Sequence, residues 1–271
     1  MFTGSKFNVW AYRRFVFSTD HWCEDCKVAV SRKGNRCKIP LRKPQKPFEQ
    51  LFIDIIPHPT ECGLTPDTNF PCYIWIVDHA SKYTYFEGLP DGSTESVIDA
   101  IEAMQAELQV KGIMQKLDYL RADAGSCFTS EEFLDWAKKE NINVSLAAPR
   151  HQEQNSIAER GWQTLHNMAS SMTVRAHLSN HYFYHSHKYA SNIMNVLPAK
   201  DVYDTNNDPT TPFYFVTHKK PIIGNFRIFG CPAVFKHPQP TFKGTKITKK
   251  QQLQRGIRGI FVGFPENQRG W

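Results

Sequence analysis

The order of strand-like and helix-like segments is the feature that most constrains the fold of this chain. After a proline-rich stretch that ends near residue 46, three β-rich apolar segments follow in close succession, "FEQLFIDIIP", "PCYIWIVDHA" and "SKYTYFEGLP". Their short separations and their content of aromatic and β-branched residues predict an antiparallel meander of three strands.

Helical and strand patterns alternate after this meander. Val97, Ile101, Met104 and Leu108 have helical spacing in a segment that follows the cap candidates "ST" at 93–94 and ends at Gly112. The segment "MQKLDYLRAD" is typical of a strand, and "TSEEFLDWAKKEN" predicts a short helix that opens with a capping box from Thr129 to Glu132.

The last segments of this region complete the predicted order. "INVSLAAP" indicates another buried strand, a longer helix is expected from about residue 155 to 174, and one more helix is expected in "NHYFYHSHKYASNIMNVLPA". Three strands, helix, strand, helix, strand, helix is the order of the RNase H-like α/β fold, in which helices flank a mixed five-stranded sheet.

Prolines and changes of composition predict three domains. Residues 1–45 form a basic N-terminal segment with a linker, residues 46–205 form the α/β core, and residues 206–271 form a linker and a small basic all-β module. The apolar content of 41% is enough for a substantial core. No window holds 18 consecutive apolar residues, so we expect no membrane partner and an intracellular protein.

Charge is distributed unevenly along the chain. Residues 27–46 hold eight Lys or Arg and no acid, and residues 209–265 hold ten Lys or Arg and no acid. Residues 47–208 hold 11 bases against 22 acids, a net charge of −11. Two basic arms, which include Lys43 and the run Lys246, Lys249 and Lys250, suit a polyanionic partner such as DNA, and the acidic centre suits a divalent metal ion. The alternative is that the arms are soluble linkers.

Three carboxylates are candidates for that metal site. Asp54 lies in the apolar run "LFIDII", where alternation places it on one face with Phe52 and Ile56. A buried carboxylate needs compensation by a cation or by hydrogen bonds. Asp123 follows the strand in "KLDYLRAD", and Glu159 lies in the helix entered from "HQEQN". The alternative for Glu159 is a solvated helix glutamate that pairs with a neighbouring base.

Carboxylates in this arrangement suit phosphodiester chemistry. Such reactions need a deprotonated oxygen nucleophile, an in-line leaving group and neutralised phosphate charge, and two Mg²⁺ ions supply these at a spacing of about 3.5 to 4 Å. Hard cations prefer oxygen ligands. Glu159 would then be the third ligand, beside Asp54 and Asp123.

Several motifs resemble integrases of copia-type long-terminal-repeat retrotransposons, which are parts of Gag-Pol polyproteins. The segments that carry the resemblance are "APRHQEQNSIAERGWQTL", "YIWIVDHASKYTYFEGL" and "RIFGCPAVFKHP...RGIRGIFVGFPENQRGW", together with the 35 residues that separate Asp123 from Glu159. The family commonly has Asn where Ala124 stands and Gly where Ser156 stands, so the activity of this copy is an open question.

The resemblance implies a polynucleotidyl transferase that joins element DNA ends to target DNA. Asp54, Asp123 and Glu159 would bind Mg²⁺ or Mn²⁺, and Gln154, Asn155 and Arg160 would face the DNA. An ordinary N-cap for Asn155 and surface solvation for Arg160 are the alternatives. A homo-oligomer and a nuclear location with a cytoplasmic virus-like-particle stage are also implied.

The N-terminal segment resembles part of the family's zinc domain. Cys23 and Cys26 resemble its last two ligands, whereas a structural Zn²⁺ site needs four ligands and residues 1–20 contain no histidine. His21 and Cys37 are candidates for the other two. We expect the site to be incomplete and the copy to be truncated.

Two other functions remain open. The first is a catalytically inactive, nucleic-acid-binding remnant of a retrotransposon polyprotein, and the second is a simple RNase H-type nuclease. A clear fourth acidic ligand is missing and the C-terminal module is basic, which counts against the nuclease. Four histidines at 177, 181, 185 and 187 lie among aromatic residues and lack the glutamate of a zincin motif, so packing or DNA contact is expected of them.

Overall fold

The structure is a computed structural model, and it describes residue 44 and the ranges 46–59, 70–110, 112–113, 117–147, 156–236 and 256–264. Within these ranges the main feature is a five-stranded mixed sheet. Its strands are β1 (Gln50–Pro57), β2 (Cys72–Asp78), β3 (Thr84–Leu89), β4 (Tyr119–Ala122) and β5 (Asn143–Leu146).

The sheet has the strand order β3-β2-β1-β4-β5. The first three strands pair antiparallel, and β1 pairs parallel with β4, as β4 does with β5. The predicted meander and the predicted RNase H-like sheet are therefore confirmed, and β1 and β4 are neighbours as that layout requires.

Helices cover both faces of the sheet. They are α1 (Thr94–Val110), α2 (Ser126–Thr129), α3 (Glu131–Lys139), α4 (Ser156–Arg175), α5 (Phe183–Val196) and α6 (Pro212–Thr217), with short 3-10 turns at Asn180–Tyr182 and Ile223–Asn225. No helix among the described residues is both long and apolar enough to cross a membrane.

One face of the sheet packs against α1. The four apolar residues with helical spacing in this helix are buried against the odd-numbered β1 residues Leu51 and Ile53. The Ser93 hydroxyl accepts a hydrogen bond from the Ser96 backbone N–H at 3.2 Å, so Ser93 is the cap. Gly112 has φ +68° just after the helix, in a conformation that favours glycine.

The other face packs against α4 and α5. Phe52, Tyr73 and Trp75 form its core with helix residues such as Leu165. A buried amide fixes α5 to the edge strand β3, because Asn195 Oδ1 accepts from the Thr84 N–H at 2.7 Å and Asn195 Nδ2 donates to the Thr84 carbonyl at 2.8 Å. Asn195 thus satisfies backbone groups at the edge of the sheet.

Two local predictions were wrong. The cap of α3 is Ser130, whose hydroxyl accepts from the Phe133 N–H at 3.2 Å, whereas Thr129 ends the preceding helix α2. The strand β5 is half-exposed along its length instead of buried. It lies at the edge of the sheet, where only one neighbour and one helix-covered face protect it.

The C-terminal segment forms a two-stranded antiparallel ribbon of β6 (Pro232–Lys236) and β7 (Gly256–Ile260). An aromatic cluster attaches it to α5: Tyr189 packs with Phe229 and Phe261, and its hydroxyl donates to the Arg227 carbonyl at 2.6 Å. The ribbon agrees with the predicted β character of this segment. The domain limits at 45 and 205 stay a prediction.

Candidate active site

The strand β1 places Asp54 on the sheet face that packs against α4. Asp54 is opposite Trp75 in the antiparallel ladder, and Phe52 and Ile56, on either side of it, are opposite Val77 and Tyr73. Residues directly opposite in a ladder share a face, and these neighbours belong to the core beneath α4 and α5. The predicted alternation of β1 is confirmed, and Asp54 is a half-buried carboxylate in an apolar strand.

Asp123 comes directly after the last residue of β4. The parallel ladder pairs Leu51 with Leu120 and Phe52 with Arg121, and continuing this register by two residues brings Asp123 level with Asp54. The exposed Asp123 carboxylate accepts a hydrogen bond from the Gly125 N–H at 3.1 Å. This bond holds the carboxylate at the carboxyl end of a parallel strand, the usual position of site residues in α/β sheets.

The first turn of α4 is attached to the same part of the sheet. The Trp75 indole N–H donates to the carbonyl of Ala158 at 3.1 Å. This hydrogen bond attaches α4 to β2 at the residue directly before Glu159. Gly161 permits this close approach, because a Cβ at this position would lie 3.2 Å from Trp75 Cζ2 and 3.3 Å from Val77 Cγ2. Since Trp75 is opposite Asp54, the helix brings Glu159 towards the two aspartates.

The charges of the three carboxylates interact. The pKa of Asp54 is raised from 3.8 to about 6. Burial is the largest cause and the Asp123 carboxylate the next, the Ile55 N–H opposes the shift, and Glu159 adds a smaller upward contribution. Like charges that are brought together disfavour ionisation. A site that accumulates negative charge at neutral pH is suited to a cation.

The three carboxylates do not form a ready metal-holding group among the described residues. In the part of the chain that the structure describes, no three His, Cys, Asp or Glu side chains are gathered closely enough to hold a metal ion. The donor set fits a hard divalent cation in its chemistry, since all three groups are carboxylates that repel one another. The assignment of Asp54, Asp123 and Glu159 as metal ligands stays a prediction.

Most of the other predicted site residues lie outside the described ranges. Arg160 is an exception: it is exposed and lines a cavity of about 720 Å³ together with Lys82 and Lys200. The α4 residues of this cavity, including Ile157 and Gly161, lie on the flank of the helix opposite Glu159. Arg160 is about 100° around the helix from Glu159, on the side that lines this cavity. The predicted residues outside the described ranges are Cys23, Cys26, Lys43, Gln154, Asn155, Lys246, Lys249 and Lys250.

A second buried carboxylate was not singled out in the sequence. Asp78, at the end of β2, accepts hydrogen bonds from the Ser81 N–H at 2.8 Å and the Phe48 N–H at 2.9 Å. Burial raises its pKa to about 6, and the bonds from Ser81 and Phe48 oppose that shift. Asp78 has a structural role, because it joins the β2–β3 turn to the residues that enter β1.

Several known proteins are similar to this chain. Residues 44–152 match the family described as integrase core domain. The chain is 26% identical over 157 residues to the Pro-Pol polyprotein of feline foamy virus, a match that covers 58% of this chain and 12% of the polyprotein. It is 27% identical over 205 residues to the retrovirus-related Pol polyprotein from transposon TNT 1-94 of Nicotiana tabacum, which covers 73% of this chain and 14% of that polyprotein.

These relatives confirm the resemblance to a part of a retrotransposon Pol polyprotein, although the chain spans only 12 to 14% of their lengths. A solved structure supports the fold. The chain superposes with a TM-score of 0.51 and 16% identity on a chain of the cryo-EM structure of a simian T-cell lymphotropic virus intasome in complex with PP2A regulatory subunit B56 gamma, covering 84% of this chain and 70% of that chain.

Proposed function

Because residues 44–152 match the integrase core domain and the surrounding chain resembles Pol polyproteins, we propose that this protein is a retrotransposon integrase that joins element DNA ends to target DNA. One observation supports this most directly: Asp54, a half-buried carboxylate in the centre of the sheet, is influenced by the charges of both Asp123 and Glu159. A buried anion with two anionic neighbours is costly for the fold, and a role in binding a cation explains why it is present.

Asp54, Asp123 and Glu159 would hold two Mg²⁺ or Mn²⁺ ions. When bound, such ions lower the pKa of an attacking hydroxyl and neutralise the charge of the phosphate. Two features of the chain support this role. Continuing the parallel ladder of β1 and β4 brings Asp54 level with Asp123, and the Trp75 bond to Ala158 attaches the start of α4 to β2. The basic arms would bind DNA phosphates without regard to sequence.

A strand-transfer assay tests this proposal. Labelled oligonucleotides with element-end sequence are incubated with plasmid target DNA and Mg²⁺ or Mn²⁺. We expect joined product from the parent chain and none from Asp54→Asn, Asp123→Asn or Glu159→Gln, with DNA binding retained in each. Asp99→Asn is the matched control, because Asp99 is an exposed acid on α1, away from the site, and this variant should retain full activity.

A second candidate is a nucleic-acid-binding protein without catalytic activity. It is favoured by the observation that no metal-holding group of side chains is gathered among the described residues. The same assay separates the two functions: a parent chain that binds DNA but gives no product with either metal supports the second candidate and rejects the first.

The proposed integrase would act as a homo-oligomer on chromosomal DNA in the nucleus, after a cytoplasmic stage in virus-like particles. Light scattering of the purified chain, alone and with element-end DNA, tests the oligomer, and a monomer under both conditions would reject it. Imaging of the tagged chain in cells tests the location, and a chain that never enters the nucleus would reject that part.

A further inference from the structure

An exposed histidine lies on the same flank of α4 as Glu159. His166 follows Glu159 by seven residues, which is close to two full helical turns, so the two side chains project in nearly the same direction. At 1.5 Å per residue their backbones are separated by about 10 Å along the helix. DNA bound at the carboxylates would therefore lie within about 10 Å of His166 along this flank of the helix.

The His166 ring is held in place by other rings. It stacks on Trp162 with 5.7 Å between centroids and 25° between planes, and it contacts His187 at 5.3 Å and 32°. His187 is buried and stacks on Phe183 at 3.9 Å and 28°. His166 is thus the outer member of a layered group of rings whose inner members are in the core, so its orientation is defined.

A chain of hydrogen bonds determines where the protons of the two histidines are. His187 Nδ1 lies 2.7 Å from the carbonyl of Phe183, and a carbonyl can only accept, so His187 carries its proton on Nδ1. Burial lowers the pKa of His187 to about 3, so this ring is neutral and its Nε2 is an acceptor. His166 Nδ1, 3.0 Å from that Nε2, must then be the donor.

The outer nitrogen of His166 is left as an acceptor. Burial also lowers the pKa of His166 below its usual value, so at neutral pH the ring has one proton, and Nδ1 holds it. His166 Nε2 consequently offers a lone pair to whatever lies on the exposed side of the helix. In a free histidine Nε2 can be either a hydrogen-bond donor or an acceptor, whereas this fixed tautomer makes it an acceptor only.

The chemistry of DNA limits what such an acceptor can bind. Phosphate and deoxyribose oxygens along a strand accept hydrogen bonds, so an unprotonated nitrogen gains nothing from them. In the grooves the donors are the exocyclic amino groups of adenine, cytosine and guanine. Building on the proposed integrase function, we propose that His166 Nε2 accepts a hydrogen bond from a base amino group of bound DNA, roughly three nucleotides from the reacting phosphate at about 3.4 Å per nucleotide. His166 is then a specificity-determining residue and takes no part in the chemistry.

Removal of single amino groups from the DNA tests this inference. Each element-end oligonucleotide carries either adenine or unsubstituted purine, which lacks the amino group, at the second, third or fourth position from the joined end. The affinity of the chain for each DNA is measured with Ca²⁺ to prevent turnover. We expect the purine to lower affinity about threefold to tenfold at one of these positions, as for one net hydrogen bond. In His166→Phe, which retains a ring for stacking but has no acceptor, adenine and purine should bind equally.

The control is His181→Phe, at an exposed histidine in the 3-10 turn before α5, and this variant should keep the preference for adenine. Equal binding of adenine and purine by the parent chain at all three positions would overturn the inference, and so would a preference that survives in His166→Phe. A chain that prefers adenine but gives no joined product contradicts the catalytic proposal and leaves the role of His166 intact.

The proton positions can be measured without any variant, which matters because His166→Phe removes the donor to the buried His187. Long-range proton–nitrogen NMR spectra of the parent chain at pH 7.5 should show His166 and His187 both protonated at Nδ1 and bare at Nε2. A proton on Nε2 of His166 would refute the inference.

Discussion

The substitution Asp54→Asn should stabilise the metal-free protein at neutral pH. Asparagine has nearly the same shape as aspartate but no charge, so it removes the cost of an anion that is half-buried and close to Asp123 and Glu159. The rise of the Asp54 pKa from 3.8 to about 6 corresponds to about 3 kcal/mol. Because the side chain is partly exposed and screened by solvent, we expect a gain of about 1 to 2 kcal/mol in the free energy of unfolding.

The pH dependence identifies the cause of the gain. A raised pKa means that the folded state binds the proton more tightly than the unfolded state, so ionisation of Asp54 costs stability as the pH rises from about 4 to about 6. The full cost is present above pH 6 and absent below about pH 4. The advantage of Asp54→Asn should therefore be largest at pH 7.5 and should shrink towards zero at pH 4.

Urea unfolding in EDTA at pH 7.5 and pH 4 measures the difference. The control Asp99→Asn changes an exposed acid on α1 and should shift stability by less than about 0.5 kcal/mol at either pH. Differences in shape or packing between aspartate and asparagine act at both pH values. If the advantage of Asp54→Asn is independent of pH, or if the variant is less stable than the parent at pH 7.5, then the charge of Asp54 does not destabilise the folded protein.

Three further predictions concern the site and the DNA. Mn²⁺ should stabilise the parent chain against urea by about 2.7 kcal/mol at a hundred times its dissociation constant and should not stabilise Asp54→Asn, whereas equal effects on both would place the metal elsewhere. DNA affinity should fall steeply with salt, with a log–log slope steeper than about −3 if four or more phosphates are neutralised, and a flat response in a salt titration would reject the role of the basic arms. Gly161→Val should lower the free energy of unfolding by about 1 to 3 kcal/mol and reduce strand transfer, because the valine side chain would clash with Trp75 and Val77. If unfolding and strand-transfer assays give unchanged values, the close approach of α4 is unimportant.

Periodicity was enough to predict the parts of the fold that depend on local pattern. The spacing of Val97, Ile101, Met104 and Leu108 identified the buried face of α1, and the alternation in β1 identified the face of Asp54. These patterns are local because a helix or strand with one buried face repeats its apolar residues every 3.6 or every two positions. The order of such segments then favoured the RNase H-like layout.

Features that depend on contacts between distant segments could not be read in this way. Asp78 and Asp54 are both acids in apolar strands, but only the structure shows that Phe48 and Ser81 hydrogen-bond Asp78. The pairing of His166 with His187 joins residues 21 positions apart on different helices. The histidine spacing that suggests a metal site includes His187 but not His166, because His166 lies outside the aromatic run.

The geometry of the site also explains which of its carboxylates depends on which part of the fold. Asp54 is in β1 and Asp123 directly follows β4, so the parallel ladder between these two strands limits how far the two backbones can separate. Glu159 has no such ladder. Its position depends on the packing of α4 against β2. There the Trp75 indole N–H donates to the Ala158 carbonyl, and Gly161 leaves room for the side chains of Trp75 and Val77. Because the charges of Asp123 and Glu159 both act on Asp54, we expect Glu159, which no strand pairing positions, to be the carboxylate that moves most when a cation replaces repulsion with attraction.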